Sequence, residues 1–275
     1  MPDVAYQGHP GAFSDVAARA LVPDARTCGY PSFDAVAEAV DAGEAEYGVL
    51  PVENAIAGSI PRNYELLWER PELRIRAEAV LPIELCLIGV AGAAEERIAE
   101  IRSHPVALEQ VRRYAGAHPH WKKTTTTDTA GAVREVVALG DPAVAAIGPA
   151  LAAEIHGGTV LARGVHDERE NYTRFFLIGR ADDAAADDGV HAGGGGRAGD
   201  RACVGIAVED RPGSLRDALG AFADRAIDLR FLIARPDRRV PFRYRFFVEL
   251  ANVDDARLHA ALAAIGGEQR LLGRY

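Results

Sequence analysis

Four short stretches carry the side chains best suited to chemistry on a small polar molecule. In LPVENAIAGSIPRNYELL, Glu53 and Asn54 follow a buried apolar run and precede a small-residue loop with Gly58. A carboxylate and an amide at a strand end are placed to face a cleft, and serve equally well to cap a turn. ENYTRFFLIGR sets Thr173 and Arg174 in a strand otherwise built from Tyr172, Phe175, Phe176, Leu177 and Ile178. A hydroxyl and a guanidinium need partners there once buried. Arg is the natural bidentate receptor for a carboxylate, whether a ligand's or a structural Asp's. SHPVALEQV opens a helix at Ser103 and brings Gln110 about two turns along, near the same face. Ser103 is equally an ordinary N-cap ahead of a Pro-containing first turn. YQGHPGAFSD is a tight glycine turn between a strand and a helix opening at Ser14. Backbone N–H groups at such a helix start can hold an anion, or the turn is purely structural. It lacks the G-x-G-x-x-G spacing of a dinucleotide fingerprint, and Pro10 removes one amide. His104 alone reads as a structural histidine, and His118 with His120 lacks the further ligands of a metal site.

These residues need elements to hold them. The patterning predicts strands over 4–7, 47–50 (ending at Pro51), 74–80, 83–89, 144–147, 160–163 and 173–178. Helices are predicted from Ser14, from Ser32 with Phe33, Val36, Ala37 and Val40 at helical spacing, and over 95–101, 106–117, 129–139 and 149–155. Such alternation implies an α/β architecture with a mostly parallel sheet and ligands near the strand C-termini. At 181–200 the chain reads ADDAAADDGVHAGGGGRAGD, in which 17 of 20 residues are Ala, Gly or Asp. With no large apolar face to bury, the composition predicts a flexible acidic linker, the alternative being an Ala-containing surface helix. Beyond it, strands over 203–208, 228–233, 244–250 and 269–272 and helices over 213–225 and 255–265 follow the ferredoxin-like βαββαβ plan.

The whole chain has 275 residues with 31 basic and 40 acidic side chains, a net charge of −9. The linker contributes −4 of this, so the folded parts share only −5. The acidic excess of the whole chain argues against nucleic acid as the main partner, while the −5 of the folded parts is too mild to say more about partners. Cys28, Cys86 and Cys203 are odd in number and widely spaced, which fits neither a disulfide framework nor a zinc site and points to a cytoplasmic location. Neither a secretory leader nor an apolar run of the roughly 18 residues that span a membrane is visible.

Taken together and in order, YQGHPGAFS, LPVENAIAGSIPRNYELL, SHPVALEQ and ENYTRF resemble the prephenate dehydratase family, and VGIAVEDRPGSLRDALGAFADRAIDLRFLIARP resembles the ACT regulatory domain that follows it there. The resemblance implies a periplasmic-binding-protein-like catalytic domain over 1–180, with lobe one near 1–77 and 165–180 and lobe two near 78–164. An ACT domain at 201–275 follows. It implies decarboxylative dehydration of prephenate to phenylpyruvate without a metal or redox cofactor. Thr173, Glu53 and Arg174 would be the catalytic residues, Arg174 binding a carboxylate and Glu53 the one carboxyl able to act as acid. Asn54, Ser103, Gln110, Phe175 and Ser14 would bind substrate. Pro212, Gly213, Ser214 and Leu215 with Arg235 and Pro236 would form the regulatory site for phenylalanine in a homodimer or homotetramer. Three departures stand out: Ala55 after Glu-Asn, Val106 in place of the Gln of SHPQ, and Ile233-Ala234 where the regulatory motif has Glu-Ser. Arogenate dehydratase and a non-catalytic amino-acid sensor are the alternatives.

Overall fold

The computed structural model describes residues 3–181, 200–237 and 239–275, so residues 182–199 of the expected linker lie outside the described residues. The first lobe begins with β1 (Asp3–Gln7), α1 (Phe13–Leu21), β2 (Arg26–Tyr30), α2 (Phe33–Asp41) and β3 (Tyr47–Asn54). β1 is apolar and buried, and runs parallel to both β2 and β3. Ser32 caps α2 by accepting the Ala35 N–H. A two-residue strand β4 (Gly58–Ser59), α3 (Pro61–Glu69) and β5 (Leu73–Pro82) complete this part.

The second lobe comprises β6 (Cys86–Gly89), β7 (Glu100–Ser103), α4 (Pro105–Glu109), α5 (Arg112–Gly116), β8 (Lys122–Thr125), α6 (Thr129–Leu139), β9 (Val144–Gly148), α7 (Ala150–His156) and β10 (Thr159–Ala162). Its strands lie in the order β10-β6-β9-β7-β8. β11 (Tyr172–Arg180) then returns to the first lobe and lies antiparallel between β3 and β5. The chain therefore passes between lobes twice, and the cleft lies at those passages.

Several local expectations change. Residues 95–101 form one 3-10 turn and then β7, because Ile98 and Ile101 are drawn into the second lobe's core and β7 pairs with β8 and β9. The helix expected over 106–117 is two short ones, α4 and α5. β3 continues through Pro51 to Asn54; its pairing with β1 ends at Val49, so Pro51 removes no ladder donor on that side. Both sheets are mixed, with β11, β6 and β10 running antiparallel to their neighbours.

The C-terminal unit is β12 (Arg201–Ala207), α8 (Ser214–Ala223), β13 (Asp228–Pro236), β14 (Tyr244–Ala251), α9 (Asp255–Ala264) and β15 (Glu268–Arg274), the βαββαβ order read from the sequence. Its sheet is continuous with that of the first lobe: the order runs β13-β14-β12-β15-β5-β11-β3-β1-β2. The join is a parallel contact of Gly273 with Ile75, and a Cβ at position 273 would fall 2.5 Å from the Ile75 carbonyl oxygen. Trp68 of α3 similarly lies against Gly205, where an added Cβ would sit 2.4 Å from the indole ring. Tyr64, Trp68, Phe176, Cys203, Phe247 and Tyr275 share one core across this seam. Among the described residues no helix is long and apolar enough to cross a membrane.

Candidate active site

A cleft of about 300 Å³ opens beside the end of β3 and the start of β11. Thr173 sits opposite Asn54 on the paired strands, and Asn54 Nδ2 donates to Thr173 Oγ1 at 2.9 Å. The orientation of that amide follows from its other partners. Asn54 Oδ1 accepts the N–H groups of Ile56 and Ala57 at 3.1 and 2.8 Å, so the nitrogen must face Thr173. Nδ2 also donates to Asn171 Oδ1 at 2.8 Å, and Asn171 Nδ2 donates to Gln110 Oε1 at 3.1 Å. A chain of neutral amides thus spans both lobes. Thr173 Oγ1 receives a hydrogen bond and, among the described residues, has no acceptor for its own proton. Its O–H is free to donate to a bound molecule.

A β-bulge sets this arrangement. Arg174 pairs with Glu53, but Phe175 pairs with Pro51, leaving Val52 as the extra residue of β3. Strict alternation from Pro51, which lines the cleft, would aim Glu53 inward and Asn54 away. The extra residue reverses this and brings Asn54 into the cleft. Asn63 of α3, fully buried, holds the bulge by donating to the Pro51 carbonyl at 2.5 Å.

Phe13 and Ser14, Ile60, His104, Thr129 and Phe175 complete the walls, and among the described residues no Lys, Arg, Asp or Glu lines this cleft. α1 starts without a side-chain cap, leaving first-turn amides available where Phe13 and Ser14 meet the cavity. The start of α3 is not available in this way: Pro61 has no N–H, and the Ile60 and Asn63 N–H groups donate to the Val52 and Ile60 carbonyls. An adjoining recess of about 530 Å³ shares Ser14, Ile60 and His104 and adds Asp34 and Asp128. Both carboxylates are engaged. Arg62 pairs with Asp34 at 2.5 Å and holds its carboxyl below the usual carboxylate range, while His9 meets Asp128 at 2.6 Å. His104 Nδ1 accepts the Val106 N–H at 3.3 Å, leaving Nε2 to carry the proton, and burial lowers its pKa from 6.5.

Of the residues read from the sequence, Thr173, Asn54, Gln110, Phe175 and Ser14 meet at this cleft. Ser14 is the second residue of α1 rather than its cap, which is Ala12. Ser103 does not reach the cavity: it ends β7, is fully buried and donates to the Ile147 carbonyl at 2.6 Å, and the cap of α4 is His104. Glu53 and Arg174 point to the opposite face of the sheet. There Arg174 contacts Glu53 (2.8 Å), Glu78 (3.0 Å) and Glu249 of β14 (2.5 Å), so its carboxylate partners are the protein's own. Desolvation and these carboxylates act in opposite directions on Arg174, and the carboxylates prevail, raising its pKa. Asn171, nearly buried, went unassigned although 171, 173 and 175 alternate along one face of the strand. Gly213 opens α8 at φ +87°, which the loop 212–215 needs, and Arg235 of β13 pairs with Glu65 at 2.5 Å.

Fold and cleft define a two-lobed α/β enzyme domain with a ferredoxin-like regulatory domain on its back. The prephenate dehydratase family profile matches residues 4–183 and the ACT domain profile residues 204–262. The chain belongs to the prephenate dehydratase family and is a dehydratase, a lyase, with a C-terminal ACT domain. It is 33% identical over 290 residues to arogenate dehydratase/prephenate dehydratase 1 of Arabidopsis thaliana, covering 99% of this chain and 71% of the relative. It spans 57% to 72% of the curated plant dehydratases it matches. The crystal structure of prephenate dehydratase from Arthrobacter aurescens in complex with L-Phe superposes with a TM-score of 0.84 at 27% identity, covering 99% of this chain and 89% of that one. A structure described as a quorum quenching acylase, GqqA, superposes with a TM-score of 0.85 at 30% identity over 98% and 96% of the two chains.

Proposed function

We propose that the cleft converts prephenate to phenylpyruvate, and that Thr173 assists departure of the ring hydroxyl. In this reaction the bond to the ring carboxylate breaks and CO2 leaves. Its electron pair enters the ring and expels the hydroxyl, which takes up a proton and departs as water. Aromatisation supplies the driving force, so the site's task is orientation and relief of charge on a poor leaving group. The carrying observation is the fixed Asn54 amide: it occupies one lone pair of Thr173 Oγ1 and leaves the O–H to donate to the departing oxygen. Asn54, Asn171 and Gln110 orient the substrate through neutral hydrogen bonds. The uncapped first turn of α1 holds one of its carboxylates, the helix end being worth roughly half a positive charge. This replaces the carboxylate role expected of Arg174 and the acid role expected of Glu53.

The lining also favours prephenate over arogenate. Arogenate carries an ammonium group, and the part of the cleft holding Thr173 offers it no carboxylate among the described residues. An acylase reading would need a nucleophile activated by a base; no cleft hydroxyl is hydrogen-bonded to His104 among the described residues. At the ACT domain we propose phenylalanine as effector, as the L-Phe complex of the Arthrobacter aurescens relative suggests, in a homodimer or homotetramer of cytoplasmic enzyme. Following CO2 and phenylpyruvate with prephenate alone, with arogenate in competition and with added phenylalanine tests all three statements. Turnover with a higher kcat/KM for prephenate is expected; ligand binding without CO2 release would replace the enzyme by a sensor.

A further inference from the structure

The back face of the catalytic strand is tied to the regulatory domain by one carboxylate. Glu249, on β14, is 3% exposed and spans two elements of the first lobe. It accepts the Tyr64 hydroxyl proton on Oε1 at 2.6 Å and Arg174 Nη2 on Oε2 at 2.5 Å. Arg174 directly follows Thr173 and faces Glu53, which directly precedes Asn54. The two residues that meet in the cleft are therefore each one bond from the ion pair behind them. Here the β3–β11 ladder is interrupted, because the bulge falls between Arg174 and Phe175, and only the β5 side keeps its register across them.

We propose that Glu249 is a positioning residue for Thr173, acting through Arg174, so that the ACT domain is a structural part of the active site. Arg174 holds three carboxylates, and Arg201 of β12 supports Glu78 at 2.7 Å. Taking Glu249 away leaves Arg174 to settle on Glu53 and Glu78 alone. That shifts the pleat at 174 and with it the Thr173–Asn54 pair. A displacement of the ACT sheet that draws Glu249 away from Arg174 has the same effect, which gives an effector on that domain a direct route to the chemical step. The inference rests on the cleft reading given above and deepens it.

The test is a double-mutant cycle in the full chain with prephenate as substrate. Glu249→Gln should lower kcat about tenfold, as small misplacements of reacting groups do, with KM changed less than about twofold. Glu249→Asp should recover part of it. Arg174→Lys keeps the charge and so a folded protein; in that background Glu249→Gln should have little further effect on kcat. Arg270→Gln, which loosens the same seam at Trp68 without touching Arg174, should leave kcat near wild type. Folded Glu249→Gln with wild-type kcat, or losses that multiply independently in the double variant, overturns the inference. Thr173→Ala run alongside separates the two levels. If it retains full activity, or wild type has none, the cleft reading falls and takes this inference with it. If Thr173→Ala is dead and folded Glu249→Gln keeps wild-type kcat, only this inference falls.

Discussion

The two faces of β11 are built on opposite physical principles. On the cleft side, Thr173 and Phe175 meet neutral amides, helix starts and open space. On the seam side, Arg174 and Phe176 meet three carboxylates and an aromatic core. A neutral cleft suits a substrate that brings its own two negative charges: a fixed arginine would hold a carboxylate that must leave as CO2 at least as tightly in the ground state as in the transition state. At the seam, by contrast, buried charge is paired and serves to fix geometry. On the proposed reading, charge fixes the geometry of the strand and neutral dipoles face the substrate.

The largest expected break in that contrast is Arg174→Ala. It strands three seam carboxylates, and removing one partner of buried pairs costs about 3–5 kcal/mol, so denaturant midpoints should fall steeply together with activity. Were the variant as stable as wild type, the seam would not be held by this cluster. Next comes Gly273→Val, which forces a side chain into the Ile75 backbone and should cost about 1–3 kcal/mol by overpacking, read as a lowered Tm. On the cleft side, Asn54→Ala should cut kcat between about tenfold and a hundredfold while leaving Tm closer to wild type than Arg174→Ala does.

The smallest effect is on pH. Burial depresses the His104 pKa in the folded state below its ordinary 6.5. The unfolded chain therefore binds more protons as pH falls through that region. The contribution of neutral His104 to stability is complete above about 6.5 and declines below it. Comparing denaturant stability at pH 5.5 and 7.5, His104→Gln should lose less on acidification than wild type; an identical loss would show that His104 does not sense this range.

Much of this was legible beforehand. The βαββαβ order, α6 and the Ser32 cap emerge from periodicity and capping alone, because those segments have one apolar face and clear end signals. Four motifs in sequence order also located Asn54, Gln110, Thr173 and Phe175. Strand alternation already held that Thr173 and Arg174 cannot share a face, a signal that the chemistry of arginine overrode. The aim of Glu53 and Asn54 was not readable, since a single extra residue in β3 inverts it and bulges leave no mark in the hydrophobic pattern. Nor was the continuous sheet through Gly273, a contact nearly two hundred residues apart that only glycine's small size permits.

The central claim is that the Thr173 hydroxyl, and no charged group in the cleft, assists the departing oxygen. Steady-state kinetics of Thr173→Val and Thr173→Ser on prephenate test it most directly, since valine keeps the shape and serine keeps the hydroxyl. Thr173→Val should lose about a hundredfold to a thousandfold in kcat with KM within about threefold, while Thr173→Ser stays within about tenfold of wild type. A Thr173→Val enzyme that turns over prephenate as fast as wild type would contradict it.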